Sequence, residues 1–225
     1  MIRLVLFDID GTLIQTGGAG RLAFDRALRS EFKLHNGTDG VSFAGRTDTS
    51  LVREIFRQTG IDPSPKNFDR FFDSYVFWLD HTLHQTNGRT CPHAHEFIAE
   101  VAALPGAPSL GLLTGNVRLG AEIKLRHYLL WDHFRTGAFA DDHEDRNQIA
   151  KVARQRGEEL LQTPLRGEEI LVVGDTPLDI ACARAIGAKV LAVATGGSTV
   201  EELENHRPDW IAADFREISP RKICR

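Results

Sequence analysis

The chain has 225 residues, of which 42% are apolar, and its formal net charge is −4. This length suits one sizeable core or a core with a small accessory domain, and the apolar fraction excludes a disordered or fibrous protein. The slightly acidic balance argues against nucleic acid and membranes as partners, and no apolar run reaches the length of a membrane span.

The N-terminal segment enters a predicted strand at once, without the pattern of a signal peptide. The cysteines Cys91, Cys182 and Cys224 are odd in number and widely spaced. Because they form neither a disulfide framework nor a zinc-binding pattern, we expect them to be reduced thiols. The sequence therefore predicts a cytoplasmic protein.

Strands and helices alternate along most of the chain. Short apolar runs bounded by turn residues predict buried strands at Ile2–Phe7, Ser109–Leu113, Thr136–Ala140, Glu169–Val173 and Lys189–Ala194, and a short last strand at Ile211. Helical patterns separate them at His93–Ala103, Val117–Tyr128, Arg146–Glu158 and Leu178–Ile186. This alternation predicts an α/β fold, with a doubly wound parallel sheet covered by helices on both faces.

The segment after the first strand interrupts this alternation. Its apolar residues recur at helical spacing, and it contains no convincing strand. Thr47 is a candidate N-cap for one of its helices, and Gly60 is a stop signal for the same helix. We therefore expect an all-helical cap domain at residues 16–86, inserted into an α/β core formed by residues 1–15 and 87–225.

In the stretch LVLFDIDGTL, residues 4–13, a predicted buried strand is followed directly by Asp8 and Asp10. Residues two apart on an extended chain point the same way, so both carboxylates face one cleft. Open parallel sheets bind ligands at this edge. An Asp-Gly turn would explain Asp10 and Gly11 but not Asp8. The spacing alone therefore leaves two interpretations open, a ligand-binding pair of carboxylates and an ordinary turn.

Two further predicted strands also end in polar residues. The stretch LLTGN brings Thr114 to one strand end, and VVGDTPLD brings Asp175 and Asp179 to another. Each signal is weak alone, because a threonine here is more often a helix cap. Together they gather carboxylates, a hydroxyl and glycine-flanked amides at one edge of the sheet.

In this order the motifs resemble those of the haloacid dehalogenase-like hydrolase superfamily, and within it the phosphoglycolate phosphatase-like members. Residues 8–13 are similar to the first motif, Thr114 to the second and residues 174–179 to the fourth. The helical insertion has the position and type of that family's smaller cap domain. The resemblance covers essentially the whole chain and implies a Rossmann-like core.

The third motif departs from the family pattern, in which a lysine shortly precedes the helix before the fourth motif. The corresponding stretch is HEDRN, and we assign the role to Arg146. Lys151, a turn into the predicted helix, is the alternative for this role. If Arg146 has no functional role, it is a solvent-exposed residue at the start of that helix. The acidic run Asp141–Asp145 is interpreted as a solvated loop, of which one or two members orient Arg146.

The resemblance implies phosphoryl transfer through an aspartyl-phosphate on Asp8. It also implies Mg²⁺ bound by Asp8, Asp175 and the backbone carbonyl of Asp10, whose carboxylate acts as general acid and base. Thr114 and Arg146 would bind and neutralise the transferring group.

The resemblance implies supporting roles for further residues. Asp179 would orient metal-bound water or Arg146. Arg46 in the cap could bind a carboxylate or second phosphate of the substrate, or it could be an ordinary surface arginine. The expected substrate-binding residues are Gly11, Gly115, Asn116 and Arg46.

The sequence thus predicts a Mg²⁺-dependent phosphatase for a small phosphorylated metabolite, with phosphoglycolate as the leading substrate. The alternatives are a phosphomutase, which would use the same core residues, and a catalytically inactive phosphate-binding protein. A dehalogenase is disfavoured because that branch generally lacks an aspartate at the place of Asp10. A phosphonatase is disfavoured because the cap lysines, Lys33 and Lys66, lie in no recognisable motif. The oligomeric state is left open.

Overall fold

A computed structural model of the protein describes all 225 residues. The strands are β1 Leu4–Phe7, β2 Ile14–Gln15, β3 Arg89–Thr90, β4 Ser109–Leu113, β5 Thr136–Ala138, β6 Ile170–Gly174, β7 Lys189–Val193 and β8 Trp210–Ala212. The helices are α1 Ala19–Phe32, α2 Asp48–Thr59, α3 Pro65–Leu83, α4 Ala94–Ala102, α5 Arg118–His127, α6 Arg146–Leu161, α7 Pro177–Ala185, α8 Val200–Asn205 and α9 Pro220–Ile223.

Six strands form one parallel sheet in the order β5-β4-β1-β6-β7-β8. Its strand order reverses at β1, because the chain builds outwards through β4 and β5 on one side and through β6, β7 and β8 on the other. Ligands of open α/β sheets bind at the carboxyl ends of the strands beside such a reversal. The predicted doubly wound α/β fold is confirmed, and its switch point lies where Asp8 follows β1.

The central strand is buried on both faces of the sheet. Val5 and Phe7 pack with Phe97 of α4 in one apolar cluster, while Leu4 and Leu6 belong to a second cluster on the α6 side. Each such side chain contributes about 1.5–3 kcal/mol by leaving water. This double burial explains the continuous apolar run and holds the residue after β1 on a rigid support.

Helices α1, α2 and α3 form the cap, and no strand lies between residues 16 and 86. Their inner faces share an aromatic core in which the rings of Phe24 and Phe71 lie 4.9 Å apart. The Thr47 hydroxyl accepts a hydrogen bond from the Ser50 amide at 3.2 Å, and Gly60 ends α2 with φ of 72°. The start and stop signals read from the sequence therefore act as predicted.

Some elements differ from the sequence predictions. The strand predicted to reach Ala140 stops at Ala138, because the Phe139 amide turns to the Asp142 carboxylate at 2.9 Å. An antiparallel ribbon of β2 and β3 was missed, since two-residue strands carry no readable period. The predicted domain limits at residues 15 and 87 fall beside this ribbon and stay predictions. No helix is both long and apolar enough to cross a membrane.

Candidate active site

A cavity of about 360 Å³ lies between the carboxyl edge of the sheet and the cap. The polar residues on the core side of this cavity follow three neighbouring strands, and we call them its floor: Asp8 follows β1, Thr114 follows β4 and Asp175 follows β6. These residues are distant in sequence, and the parallel pairing of β1 with β4 and β6 brings them to one place. The cavity therefore contains the three strand ends that the motifs singled out.

Arg146 is the cation beside Asp8. Its Nη2 lies 3.4 Å from Oδ1 of Asp8 and donates a hydrogen bond to Asp179, while its Nη1 donates to the Gly45 carbonyl of the cap at 3.2 Å. Burial lowers the pKa of Arg146, but the charges of Asp179 and Asp8 more than reverse this and raise it. Arg146 therefore remains a cation that links the core and the cap.

Lys151, the alternative for this role, is exposed on α6, and its ammonium group donates to Gln148 at 3.3 Å. The structure thus brings Arg146 and not Lys151 to Asp8. Members of the neighbouring acidic run have other partners: Asp142 pairs with Arg156 at 2.6 Å, and Asp145 caps α6 through the Asn147 amide at 2.8 Å.

Asp179 is fully buried and uses both carboxylate oxygens within the protein. Oδ1 accepts from Arg146, and Oδ2 accepts from the amide and the hydroxyl of Thr176 at 3.0 Å and 2.7 Å. This reciprocal bonding closes a capping box at the start of α7. Asp179 is consequently placed to orient Arg146, with no oxygen free of an existing partner.

A buried group of carboxylates could hold a divalent cation. One oxygen from each of Asp8, Asp175 and Asp179 lies within 4.8 Å of the others. Burial raises the pKa of Asp8 to about 7 against the lowering effect of Arg146, and burial also raises the pKa of Asp175 well above its usual value. Neighbouring buried carboxylates repel each other unless a cation lies between them. The oxygens of Asp8 and Asp175 therefore fit Mg²⁺, whereas both oxygens of the neighbouring Asp179 already accept hydrogen bonds.

Asp175, one of the two carboxylates predicted to bind magnesium, has a hydrogen-bond partner on one oxygen only. Oδ1 of Asp175 accepts a hydrogen bond from the Thr12 hydroxyl at 2.9 Å, which leaves Oδ2 beside the backbone of Gly11. A Cβ on Gly11 would lie 2.3 Å from that oxygen, and the residue has φ of 84°. Only glycine fits this turn, although its amide donates to the Ile14 carbonyl and is not directed to the cavity.

Asp10 has a different environment from Asp8. Its Oδ2 accepts hydrogen bonds from Asn116 Nδ2 at 2.8 Å and from Lys124 Nζ at 2.7 Å. Asn116 also donates to the Thr114 hydroxyl at 2.9 Å and accepts from Lys124 at 2.6 Å. The Asn116 amide, which the resemblance assigned to substrate binding, is therefore occupied in holding Asp10 and Thr114.

Lys124 was missed by the sequence analysis. Its side chain is 5% exposed and lies on α5, in a stripe that also contains the buried residues Ala121 and Leu125. A lysine at a buried position of an amphipathic helix was the available signal, because a buried ammonium group needs a charged or polar partner. The partner, 114 positions away along the chain, could not be read from spacing.

The remaining predicted substrate residues lie at the junction of core and cap. Gly115 approaches the cap so closely that a Cβ there would lie 2.2 Å from the Arg46 carbonyl. Arg46 lines the cavity, but its guanidinium pairs with Glu54 at 2.6 Å. Glu54 does not line this cavity; it lines a separate groove on the cap together with Arg46.

Asp48 and Tyr75 are cap residues on the opposite wall of the cavity, and the sequence analysis assigned neither a role. The Asp48 carboxylate accepts a hydrogen bond from the Val117 amide at 2.9 Å, and its own amide donates to the Gly115 carbonyl at 2.7 Å. Burial raises the pKa of Asp48 to about 7, against the lowering effect of Lys124. The cap is thus joined to the core beside the second motif.

Comparison with known proteins agrees with this geometry. The family model for haloacid dehalogenase-like hydrolases matches residues 5–193. A phosphoglycolate phosphatase from Photorhabdus laumondii is 26% identical over 96% of this chain and 91% of its own length. The pyrophosphatase PpaX from Oceanobacillus iheyensis is 24% identical over 96% of this chain and 95% of its own.

Solved structures share the fold. CbbY from Rhodobacter sphaeroides, solved in complex with phosphate, aligns with a TM-score of 0.75 and 18% identity, over 96% of both chains. The family model extends from the first strand through the fourth motif, so it includes the core site and the cap. The resemblance seen in the motifs is confirmed: the chain belongs to the haloacid dehalogenase-like hydrolases and is similar to their phosphoglycolate phosphatases.

Proposed function

We propose that the protein is a Mg²⁺-dependent phosphatase that hydrolyses small, phosphoglycolate-like phosphomonoesters through an aspartyl-phosphate. The observation that carries the proposal is the buried group in which Arg146 lies 3.4 Å from Asp8 while the carboxylates of Asp8 and Asp175 adjoin. Phosphatases of similar length among the relatives support the reaction class. A mutase would use the same groups, so the products of the reaction must distinguish the two.

Asp8 is the proposed nucleophile. One of its carboxylate oxygens forms a bond to phosphorus as the bond between phosphorus and the leaving oxygen breaks. Attack by a carboxylate on a phosphate dianion needs positive charge to mask their repulsion, and Arg146 supplies part of that charge. The backing of β1 by apolar packing keeps Asp8 in place during this step.

Asp10 is the proposed general acid and base. It gives a proton to the leaving alkoxide in the first step and takes a proton from the attacking water in the second. This second step releases phosphate and restores Asp8. Because Asn116 and Lys124 both bind Oδ2 of Asp10, its carboxyl group keeps one orientation for both transfers. Such proton transfer contributes about 10²–10⁴-fold in rate.

The metal fits beside these groups. Asp8, Asp175 and the backbone carbonyl of Asp10 are the proposed ligands, and Asp179 orients Arg146 from behind. When bound, Mg²⁺ supplies charge neutralisation for the phosphoryl group. The Thr114 hydroxyl, which lies on the cavity floor, is the proposed donor to a phosphate oxygen.

The cap closes the cavity over this floor. Its contacts with the core include the Thr47 hydroxyl donating to the Glu144 carbonyl at 2.8 Å and the ion pair of Arg53 with Glu144 at 2.7 Å. Exclusion of water strengthens each electrostatic contact within the cavity. The cap wall also faces the part of the substrate that is not phosphate, so it is the proposed source of specificity.

The test is phosphate release from p-nitrophenyl phosphate and phosphoglycolate, with Mg²⁺ and after exhaustive chelation. We expect release with Mg²⁺, loss of release with EDTA, and recovery when Mg²⁺ is restored. Stoichiometric inorganic phosphate identifies a phosphatase, whereas a phosphorylated isomer identifies a mutase. Undiminished turnover in thoroughly demetallated protein contradicts the proposal.

A further inference from the structure

Two largely buried side chains on the cap wall of the cavity, Tyr75 and Asp48, each have one polar atom that makes no hydrogen bond within the protein. Tyr75 is 1% exposed and Asp48 is 7% exposed, and both line the cavity. The Tyr75 hydroxyl makes no hydrogen bond within the chain. Asp48 uses Oδ2 to accept from the Val117 amide, whereas its Oδ1 has no donor. The wall therefore presents a free acceptor and a free hydroxyl to whatever enters.

Both residues line the cavity, so a ligand that fills it displaces water from these two atoms. Binding therefore favours ligands whose own groups replace the lost hydrogen bonds. A carboxylate oxygen accepts, and a phenol both donates and accepts. An alcohol group also both donates and accepts, so a ligand hydroxyl matches the free oxygen of Asp48 and the hydroxyl of Tyr75.

A second anion on the substrate is disfavoured at this wall. At a pH above 7, where Asp48 is ionised, a ligand carboxylate there would meet the Asp48 carboxylate, and like charges repel strongly where water is excluded. The cavity cations are already bound: Arg46 by Glu54 at 2.6 Å and Lys124 by Asp10 at 2.7 Å. Arg21, which is half exposed, donates to the Thr38 carbonyl at 2.8 Å.

The rest of the cap wall is apolar, with Phe24, Val41, Phe43 and Leu51 lining it. Such surfaces pack against the C–H groups of a carbon skeleton. The cavity of about 360 Å³ lies at the small end of the range for ligand pockets, roughly 300–1,000 Å³. This volume suits a phosphate group with one short skeleton.

We propose that Asp48 and Tyr75 bind a hydroxyl of the leaving alcohol, so that the preferred substrates are phosphomonoesters of small polyols or sugars rather than of hydroxy acids. This inference rests on the proposed phosphatase function but changes its substrate class, from phosphoglycolate-like esters to phosphate esters of small alcohols. Asp48 and Tyr75 are then specificity-determining residues, because they touch the substrate away from the reacting phosphorus.

The test uses three phosphates that differ at one position: 2-hydroxyethyl phosphate, phosphoglycolate and ethyl phosphate. They present an alcohol, a carboxylate and a methyl group on the same two-carbon frame. We expect kcat/KM to be about tenfold higher for the alcohol than for ethyl phosphate, the equivalent of one hydrogen bond. Phosphoglycolate is expected to be the poorest of the three.

Substitutions assign this preference to the wall. Tyr75→Phe is expected to lower kcat/KM for 2-hydroxyethyl phosphate about five- to tenfold relative to p-nitrophenyl phosphate. Tyr128→Phe is the matched control, because the Tyr128 hydroxyl is also buried without a partner but does not line the cavity. Asp48→Asn is expected to improve phosphoglycolate relative to the alcohol, since it removes the repelling charge and keeps the shape.

Two results overturn the inference: a preference for phosphoglycolate over 2-hydroxyethyl phosphate, or equal effects of Tyr75→Phe and Tyr128→Phe on the substrate ratio. If no ester, including p-nitrophenyl phosphate, releases phosphate, the proposed function fails separately. Calorimetric titration with 2-hydroxyethyl phosphate and phosphoglycolate then decides the inference. Tighter binding of the alcohol supports it, and tighter binding of the carboxylate contradicts it.

Discussion

The two walls of the cavity differ in how their polar groups are partnered. On the core wall, the Arg146 Nη atoms are held near Asp8 although Nε has no partner, and Asp10 is held by Asn116 and Lys124. On the cap wall, the Tyr75 hydroxyl and one oxygen of Asp48 have no partner. Side chains that are fixed by hydrogen bonds and ion pairs are preorganised for one reaction, whereas polar atoms without such bonds are available to bind a ligand. We therefore expect the core wall to carry the chemistry and the cap wall to choose the substrate.

Loss of Asp8, the proposed nucleophile, should have the largest effect on activity. We expect Asp8→Asn to reduce kcat by roughly 10⁴-fold or more for every ester, because no covalent intermediate can form. Phosphoryl-enzyme trapping followed by peptide mass spectrometry checks this and locates the label on Asp8 in the parent protein. An undiminished, trappable phosphoryl group in the Asp8→Asn variant contradicts the assignment of the nucleophile.

Removal of the buried guanidinium has the next largest expected effect. Arg146→Ala should reduce kcat/KM by about 10²–10³-fold, or roughly 3–4 kcal/mol, as for the loss of one preorganised donor. Arg146→Lys should recover part of this, because lysine restores the charge without the planar fork. Lys151→Ala is the matched control on the same helix and should change little. A crippled Lys151→Ala with a mild Arg146→Ala would reverse the third-motif assignment.

Lys124 tests whether the partners of Asp10 matter for proton transfer. Lys124→Met should lower kcat about 10–100-fold for an alkyl phosphate, whose alkoxide needs a proton from Asp10. The loss should be smaller for p-nitrophenyl phosphate, because its leaving group needs little acid assistance. Lys151→Met, an exposed lysine change, is the control. Equal losses for both substrates would indicate a purely structural lysine.

The smallest expected effect concerns stability and pH. The folded pKa of Asp48 is about 7, above its usual 3.8, because burial disfavours the charged form. The folded protein therefore keeps a proton that the unfolded chain loses, so this group makes stability fall as pH rises from about 4 to about 7. Asp48→Asn removes that contribution and should gain roughly 1–3 kcal/mol relative to the parent between those limits.

Urea unfolding of the metal-free protein at both ends of this pH window measures the difference. The pKa of Asp8 is also raised on folding, but Asp8 is present in both the parent and the Asp48→Asn variant. Its contribution to the pH dependence of stability therefore cancels when the two are compared. A constant stability difference between the parent and Asp48→Asn across the window would contradict the assignment of a desolvated carboxyl to the cap wall.

The core wall could be predicted from the sequence because parallel strands end at one edge. Asp8, Thr114 and Asp175 each follow an apolar run, and the fold brings such positions together without further information. Arg146 was assigned to this site through the resemblance to the third motif, and its guanidinium lies 3.4 Å from Asp8 in the structure. Asp179 was predicted to orient it, and the two are hydrogen-bonded in the structure.

The cap wall could not be predicted in this way. Asp48 and Tyr75 lie on helical patterns that an ordinary apolar face and an N-terminal turn explain equally well. Their direction towards the cavity depends on how α1, α2 and α3 pack back on the core, which no local spacing encodes. Arg46 illustrates the same gap, because its pairing with Glu54 could not be read from the motif that suggested a role in substrate binding.

One crossed measurement tests the division between the two walls most directly: kcat/KM of Arg146→Ala and Tyr75→Phe for 2-hydroxyethyl phosphate and for p-nitrophenyl phosphate. We expect Arg146→Ala to reduce both values by the same factor, because both esters share the phosphoryl group. Tyr75→Phe should reduce the first value about five- to tenfold more than the second. A change in the substrate ratio that is as large in Arg146→Ala as in Tyr75→Phe would contradict the separation of chemistry from substrate choice.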